Sequence, residues 1–275
     1  MSDAKQRINS LSPSRANDFK TCPLLYRYRT IDRLPEPPSV EALRGTIVHE
    51  ALERLYDLPR GSRTVDHAYN LMAGAWTSVL LEDEGAAALF GSEDEIEAWL
   101  ASGRALIDRY FELEDPNSLE PAEREVHVEH KLPNGLLLHG FVDRIDQAVT
   151  GELRIVDYKT GRSPKAGFEE NAFFQLKFYA LVIWRSRGIV PKALKLIYLG
   201  NSETLPREIE EHDLMATERS ISAIWLAIRK NHQSGNWPAT PSRLCDWCNF
   251  KKICPAFGGT PPPLPEDSLL VEAGN

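Results

Sequence analysis

The sequence has no run long and apolar enough to cross a membrane. Its longest, Phe178 to Trp184, falls far short of the ~20 residues a spanning helix requires. The opening Met1-Ser2-Asp3-Ala4-Lys5 is polar and leads into no apolar stretch, so no secretory signal is expected and the expected location is cytoplasmic. There is no G-x-x-x-x-G-K-[ST] run, so any helicase motor must lie on another chain. Flavin and dinucleotide fingerprints are missing too, and there is no internal repeat. Cysteine is scarce, four in 275 residues. In a reducing compartment those four suit metal binding, catalysis or burial better than disulfides. Positive charge is in deficit, with 32 Lys+Arg against 40 Asp+Glu and a net charge of −8. Phosphate binding runs on Lys and Arg, so this balance argues at first against nucleic acid.

What is present is ordinary for a globular chain. A hydrophobic content of 42% and a charged content of 26% exclude wholesale disorder, and the length suits one large domain or a domain with an annex. The charge is unevenly spread. Residues 82–129 hold 15 acidic and 3 basic residues, whereas 154–200 hold 9 basic and 3 acidic, and the first 44 carry 8 basic and 5 acidic. The acidity is confined to one segment, which reads as a solvated helical face. The basic stretches stay available for a phosphate backbone.

Periodicity gives the elements. Ser12-Pro13-Ser14 opens a helix with Ser12 as N-cap and Pro13 in its first turn. Residues 46–57 put Ile47, Val48, Ala51, Leu52, Leu55 and Tyr56 on one stripe. Amphipathic helices follow at 65–81 and 93–114. After Pro121 the pattern turns to strands: Glu125–Leu132, a hairpin turn at Asn134-Gly135, the return strand Leu136–Asp143, and a third strand Leu153–Lys159. A helix at about 169–186, a strand at 193–199 and a helix at about 213–233 complete an α/β order. The Pro261-Pro262-Pro263-Leu264-Pro265 tract opens a tail, 258–275, expected to be disordered.

Chemistry gathers at the strand ends. Asp157 and Lys159 are two apart on a strand and so project together, which a plain surface ion pair would also do. Asp143 ends the neighbouring strand, and an antiparallel meander could bring it to Asp157. Two carboxylates beside a lysine make sense around a divalent cation, since without one their repulsion raises a pKa. Oxygen ligands suit Mg²⁺ or Mn²⁺. His49, on the helix after Arg44-Gly45-Thr46, could add a nitrogen, or it could be a structural histidine. Gln175 and Tyr179, four apart, share a helix face, and that spacing serves packing equally well.

Taken in order, Gly45-Thr46-Ile47-Val48-His49, Gly140-Phe141-Val142-Asp143-Arg144, Asp157-Tyr158-Lys159 and Gln175-x-x-x-Tyr179 resemble the RecB-type nucleases of the PD-(D/E)XK superfamily, which include Cas4-like and AddB-like domains. Each motif is loose; the ordered set is specific. The resemblance spans roughly residues 10–257. It implies a restriction-endonuclease-like core of helix, three-stranded meander, helix and strand, forming one domain over 1–257 with a helical insert at about 65–120. It also implies that His49, Asp143, Asp157 and the Tyr158 backbone carbonyl bind the metal. Asp143, Asp157 and Lys159 would be catalytic, and Gln175 and Tyr179 would position the substrate strand. An Asp at position 157, rather than the Glu commoner in restriction enzymes, is normal for this branch.

Cys245-x-x-Cys248 followed by Cys254-Pro255, with Cys22-Pro23 far upstream, leaves no cysteine over. Four thiols suit a structural Zn²⁺ or a [4Fe–4S] cluster. Cys22 has no paired knuckle, which tilts towards iron–sulfur. A subset of RecB-like nucleases resembles this arrangement, and there the cluster would staple the two ends of the chain together. The expected function is a metal-dependent DNA exonuclease acting on single-stranded ends in repair, recombination or processing. The alternative is a catalytically silent nucleic-acid-binding Fe–S module that works with a helicase or other partner. A purely redox protein would leave the Asp/Lys set unexplained.

Overall fold

A computed structural model of the chain describes residues 9–83, 85–165, 167 and 169–265. In order the elements are β1 (Ser10–Leu11), α1 (Pro13–Thr21), α2 (Pro23–Tyr26), α3 (Val40–Leu55), α4 (Val65–Glu82), α5 (Glu93–Leu113), β2 (Glu123–Lys131), β3 (Leu137–Gln147), β4 (Leu153–Lys159), α6 (Glu169–Arg187), β5 (Ala193–Tyr198), β6 (Glu203–Glu208) and α7 (Glu211–Ser234). Short 3₁₀ turns carry the chain through 243–257.

Local chemistry sets the helix starts. Ser12, Ser39, Thr64 and Ser92 each sit in extended backbone and accept a first-turn N–H, which supplies donors left unpaired at a helix start with a partner. The Ser39 cap starts α3 earlier than its apolar stripe suggests. The β2–β3 hairpin closes at Asn134-Gly135 as expected, with the Asn134 side chain accepting from Leu136 N at 3.1 Å.

The sheet runs β1-β3-β4-β5-β6, with β2 pairing on β3. The β2–β3–β4 meander is antiparallel, β4 and β5 are parallel across α6, and β6 returns antiparallel to β5. Two cores flank it. On one face Leu138, Val142, Ile145, Ile155 and Leu196 pack with α1, α6 and α7. On the other, Val156, Tyr158, Ile197 and Leu199 pack with α3, α4 and α5. This is the restriction-endonuclease-like α/β core, its helical insert forming one flank.

β1 and β6 extend the expected sheet. β6 reads Glu-Thr-Leu-Pro-Arg-Glu, and charge with an internal proline is how an edge strand is blunted, so it carries little strand signal. Of the Pro-rich tract, 261–265 is described: Leu264 packs against the core and the Arg27 guanidinium donates to the Pro262 carbonyl. The rest of the expected tail, 266–275, lies outside the described residues. Among the described residues no helix is long and apolar enough to cross a membrane.

Candidate active site

The β2–β3 ladder pairs Arg124 with Arg144 and Val126 with Val142, so Glu125 stands opposite Asp143. The β3–β4 ladder pairs Arg144 with Val156, and one residue further on Asp143 meets Asp157. Three carboxylates therefore form a row across three strands. The strands bend to make it. Val142 packs on the α6 side, whereas Arg144, only two residues on, reaches Tyr158 OH and Glu114 on the α5 side. Regular alternation would keep both on one face, so the phase slips at Asp143. Opposite the slip, Glu125 has φ = +41°, a left-handed conformation that costs a non-glycine residue about 1–3 kcal/mol. Asp143 Oδ2 also accepts from Tyr158 N at 2.8 Å, replacing a ladder bond with a side chain.

Around this row the other residues fall into two groups. His49 of α3 lies with Nδ1 3.5 Å from Asp143 Oδ2. Ligand atoms of His49, Glu125 and Asp143 all lie within 4.8 Å of one another. Asp157 is 1% exposed and pairs with Lys159, Nζ to Oδ2 2.6 Å. Lys159 Nζ also donates to Gln175 Oε1 at 2.8 Å, and Gln175 Nε2 donates to Tyr179 OH at 3.1 Å. The Tyr179 ring lies on β3 where Gly140 leaves room, since a Cβ there would come 2.6 Å from Tyr179 Cε1.

Behind the row, Arg144 is 1% exposed. Its guanidinium bonds Glu114 at 2.8 Å, Tyr158 OH at 2.6 Å and Asp146 at 3.2 Å. Tyr158 points away from the acids, but its anchored ring fixes the backbone that presents Asp157 and Lys159.

The electrostatics are those of crowded acid groups. Burial, followed by the repulsion of Asp143, pushes Asp157 up to about 6. Burial likewise pushes Asp143 up to about 6, against the Tyr158 N–H and Lys159, which hold it down. Glu125 is pushed up to about 7 by burial and then by Asp143, Glu53 and Asp157. His49 is lowered, chiefly by burial, while Asp157 and the Tyr158 backbone act in the opposite direction. Hard oxygen donors and one imidazole, all straining against their own charge, suit a divalent cation such as Mg²⁺ or Mn²⁺.

Of the residues expected at the site, His49, Asp143, Asp157, Lys159, Gln175 and Tyr179 lie together here. The fold adds Glu125, which the sequence pattern marks only as the start of a strand. Counting back from the Asn134-Gly135 turn, where Leu132 N bonds Leu136 O, pairs 125 with 143, so the hairpin register carried the signal. At the other end of the chain Cys22, Cys245, Cys248 and Cys254 line one pocket. Thr240 N donates to Cys22 Sγ at 3.4 Å and Ser242 N to Cys245 Sγ at 3.3 Å.

The family model described as the PD-(D/E)XK nuclease superfamily matches residues 10–255. The gene 69 protein of Mycobacterium phage D29 is 25% identical over 271 residues, covering 90% of this chain and 96% of its own. That of Mycobacterium phage L5 is 24% identical over 299 residues, covering 94% and 100%. The crystal structure of a candidate exonuclease from Eubacterium rectale, 11% identical, superposes over 91% of either chain with a TM-score of 0.60, a likeness of fold.

Proposed function

The chain belongs to the PD-(D/E)XK nuclease superfamily, and on that premise we propose that it is a Mg²⁺- or Mn²⁺-dependent DNA exonuclease acting on single-stranded ends, in repair, recombination or another DNA-processing role. The observation that carries this reading is the row Glu125–Asp143–Asp157 with His49 above it and Lys159 at its end. His49, Glu125, Asp143 and Asp157, with the Tyr158 carbonyl, would hold the metal. When bound, the ion supplies a nucleophile near neutral pH and cover for charge growing on the phosphoryl oxygens.

The side chains divide the remaining work. Lys159 places a cation beside the developing charge at phosphorus and a donor beside the attacking water. Gln175, with its carbonyl on Lys159 and its amide on Tyr179, fixes where that ammonium points. Tyr179 and Gln175 also face the strand end a substrate must cross. Asp143 orients the Tyr158 peptide and hence the neighbouring carbonyl.

For the terminal region we infer a [4Fe–4S] cluster on Cys22, Cys245, Cys248 and Cys254, with structural Zn²⁺ as the alternative. The four thiols share one pocket, and Cys22 lacks the paired knuckle that zinc ribbons usually bring. The N–H donors on Cys22 and Cys245 suit thiolate sulfur. An anaerobic preparation should be brown and contain iron; a colourless protein with stoichiometric zinc would contradict the assignment.

Incubation of the purified protein with single-stranded DNA and Mn²⁺ tests the main reading. Degradation abolished by EDTA is expected, whereas a mobility shift without cleavage under either metal would favour the catalytically silent binding module.

A further inference from the structure

Beside the catalytic strand lies an open cleft of about 380 Å³ that the chemistry above does not use. Its floor is Thr160-Gly161-Arg162, the stretch that directly follows Lys159. Arg44, Arg109 and Arg162 all line it, and no acidic residue does. In a chain of net charge −8, a hollow lined by three arginines and no acid stands out as a place for an anion.

One close approach fixes the position. Gly45, in the second turn of α3, sits against Thr160, a Cβ there lying 3.6 Å from Thr160 Oγ1. Arg44 precedes it, and His49 follows five residues later on the same helix, roughly 7–8 Å along its axis. The cleft is thus one short step from the acid row.

Two of the arginines are held in place, and one of these keeps an unpaired donor. Arg44 Nη1 donates to Ser102 Oγ at 3.0 Å, while its Nε is buried without a hydrogen-bond partner. Arg109 Nη1 rests on the Leu199 and Gly200 carbonyls at 3.2 and 3.3 Å. Arg162 is exposed; the acid it acts on is Glu203, whose carboxylate accepts from Ser163. The backbone lies close beneath. Gly200 packs so tightly on the loop that a Cβ would fall 2.3 Å from Gly161 O, whereas a Cβ on Gly161 would meet nothing.

We infer that this cleft is a phosphate subsite, where Arg44, Arg109 and Arg162 grip a backbone phosphodiester of the DNA strand next to the one being cleaved. The inference rests on the nuclease reading. An open trough suits a strand passing through it, not a terminal phosphate captured in a closed pocket. The helical insert thereby gains a role, since Ser102 and Arg109 of α5 form one wall of the strand's path. Arg109 is one of only three basic residues in the acid-rich segment 82–129.

The test is equilibrium binding of fluorescein-labelled single-stranded oligonucleotides to the Asp157→Ala protein at several salt concentrations. In that background Arg44→Gln with Arg109→Gln, and separately Arg162→Gln, should raise Kd about 3- to 10-fold. Each arginine lost should reduce the slope of log K against log salt by about 0.7. Arg219→Gln, on exposed α7, controls for loss of net charge and should bind like the parent. Should the Arg44/Arg109 protein not fold, Arg162→Gln still decides the matter. Parental affinity and slope in the folded arginine variants would overturn the subsite while leaving the nuclease reading intact. A parent that neither binds nor, with Asp157 restored, cleaves DNA would overturn that reading. Tighter binding of 5′- or 3′-phosphorylated over hydroxyl-ended oligonucleotides, lost with the arginines, would replace the internal phosphate by a terminal one and so refute the inference as stated.

Discussion

Glu125 and Asp143 face each other across the β2–β3 ladder, two acids in direct opposition, with Glu125 at φ = +41°. Both features are costs to the metal-free fold. The backbone conformation is one an Asn or Gly adopts readily, and the charge pair is one a cation would relieve. Glu125→Asn should therefore fold at least as well as the parent, with a rise of up to a few degrees in Tm measured in EDTA. Its apparent Mn²⁺ affinity, read from the metal dependence of cleavage, should fall at least 10-fold. Unchanged metal dependence would remove Glu125 from the ligand set.

A pH dependence follows from the same crowding. Asp143 and Asp157 are pushed up to about 6 and Glu125 to about 7, so the folded chain binds these protons more tightly than the unfolded chain. Stability from this source is fully present below about pH 4 and is lost as pH rises towards about 7. The difference in Tm between Asp143→Asn and the parent, in EDTA, should grow in favour of the variant from pH 4.5 to pH 8. Saturating Mg²⁺ should shrink it by stabilising the parent. A difference that does not vary with pH would mean the acids are not in conflict.

Lys159 is steered by Gln175, and Gln175 by Tyr179. Lys159→Ala should cut cleavage by about 10²–10⁴-fold with DNA binding largely retained. Gln175→Ala should cost less, on the order of 10-fold. Tyr179→Phe, which forfeits one hydrogen bond of about 1 kcal/mol, should cost a few-fold. Gly140→Ala acts by sterics, its methyl meeting the Tyr179 ring, and should destabilise by about 1–3 kcal/mol as well as slow cleavage. Denaturant melts and single-turnover rates on the four proteins check the order.

Arg144 is a structural residue by position. Replacing it with Met takes one of two cationic partners from Glu114 and from Asp146, the latter keeping Arg154 at 2.8 Å, a loss of up to about 3–5 kcal/mol visible in a urea melt. Lys195, which also pairs with Glu114 at 2.6 Å, would offset part of it. An unchanged midpoint would contradict the buried network.

Much of the fold was legible in the sequence because its signals were local. The cap at Ser12 and the Asn134-Gly135 turn are read from neighbours, and Asp157-x-Lys159 projects as strand period 2 requires. Glu125 was harder: as one of fifteen acids in its segment it looked like a solvated face, and only the hairpin register singles it out. The partnership of Lys159 with Gln175 depends on how α6 lies over β4, a tertiary fact without a local pattern. Arg44, Arg109 and Arg162 come from α3, α5 and a loop, so no spacing rule joins them. Net charge pointed away from DNA; its distribution, acid on the insert and base along 154–200, did not.

Everything above turns on whether the acid row with Lys159 hydrolyses DNA. Cleavage of end-labelled single- and double-stranded DNA in Mn²⁺, by the parent and by Asp157→Ala, decides it. Products should appear from the single strand with the parent, should be suppressed by EDTA, and should be essentially missing with the variant. Equal cleavage by Asp157→Ala would contradict the assignment.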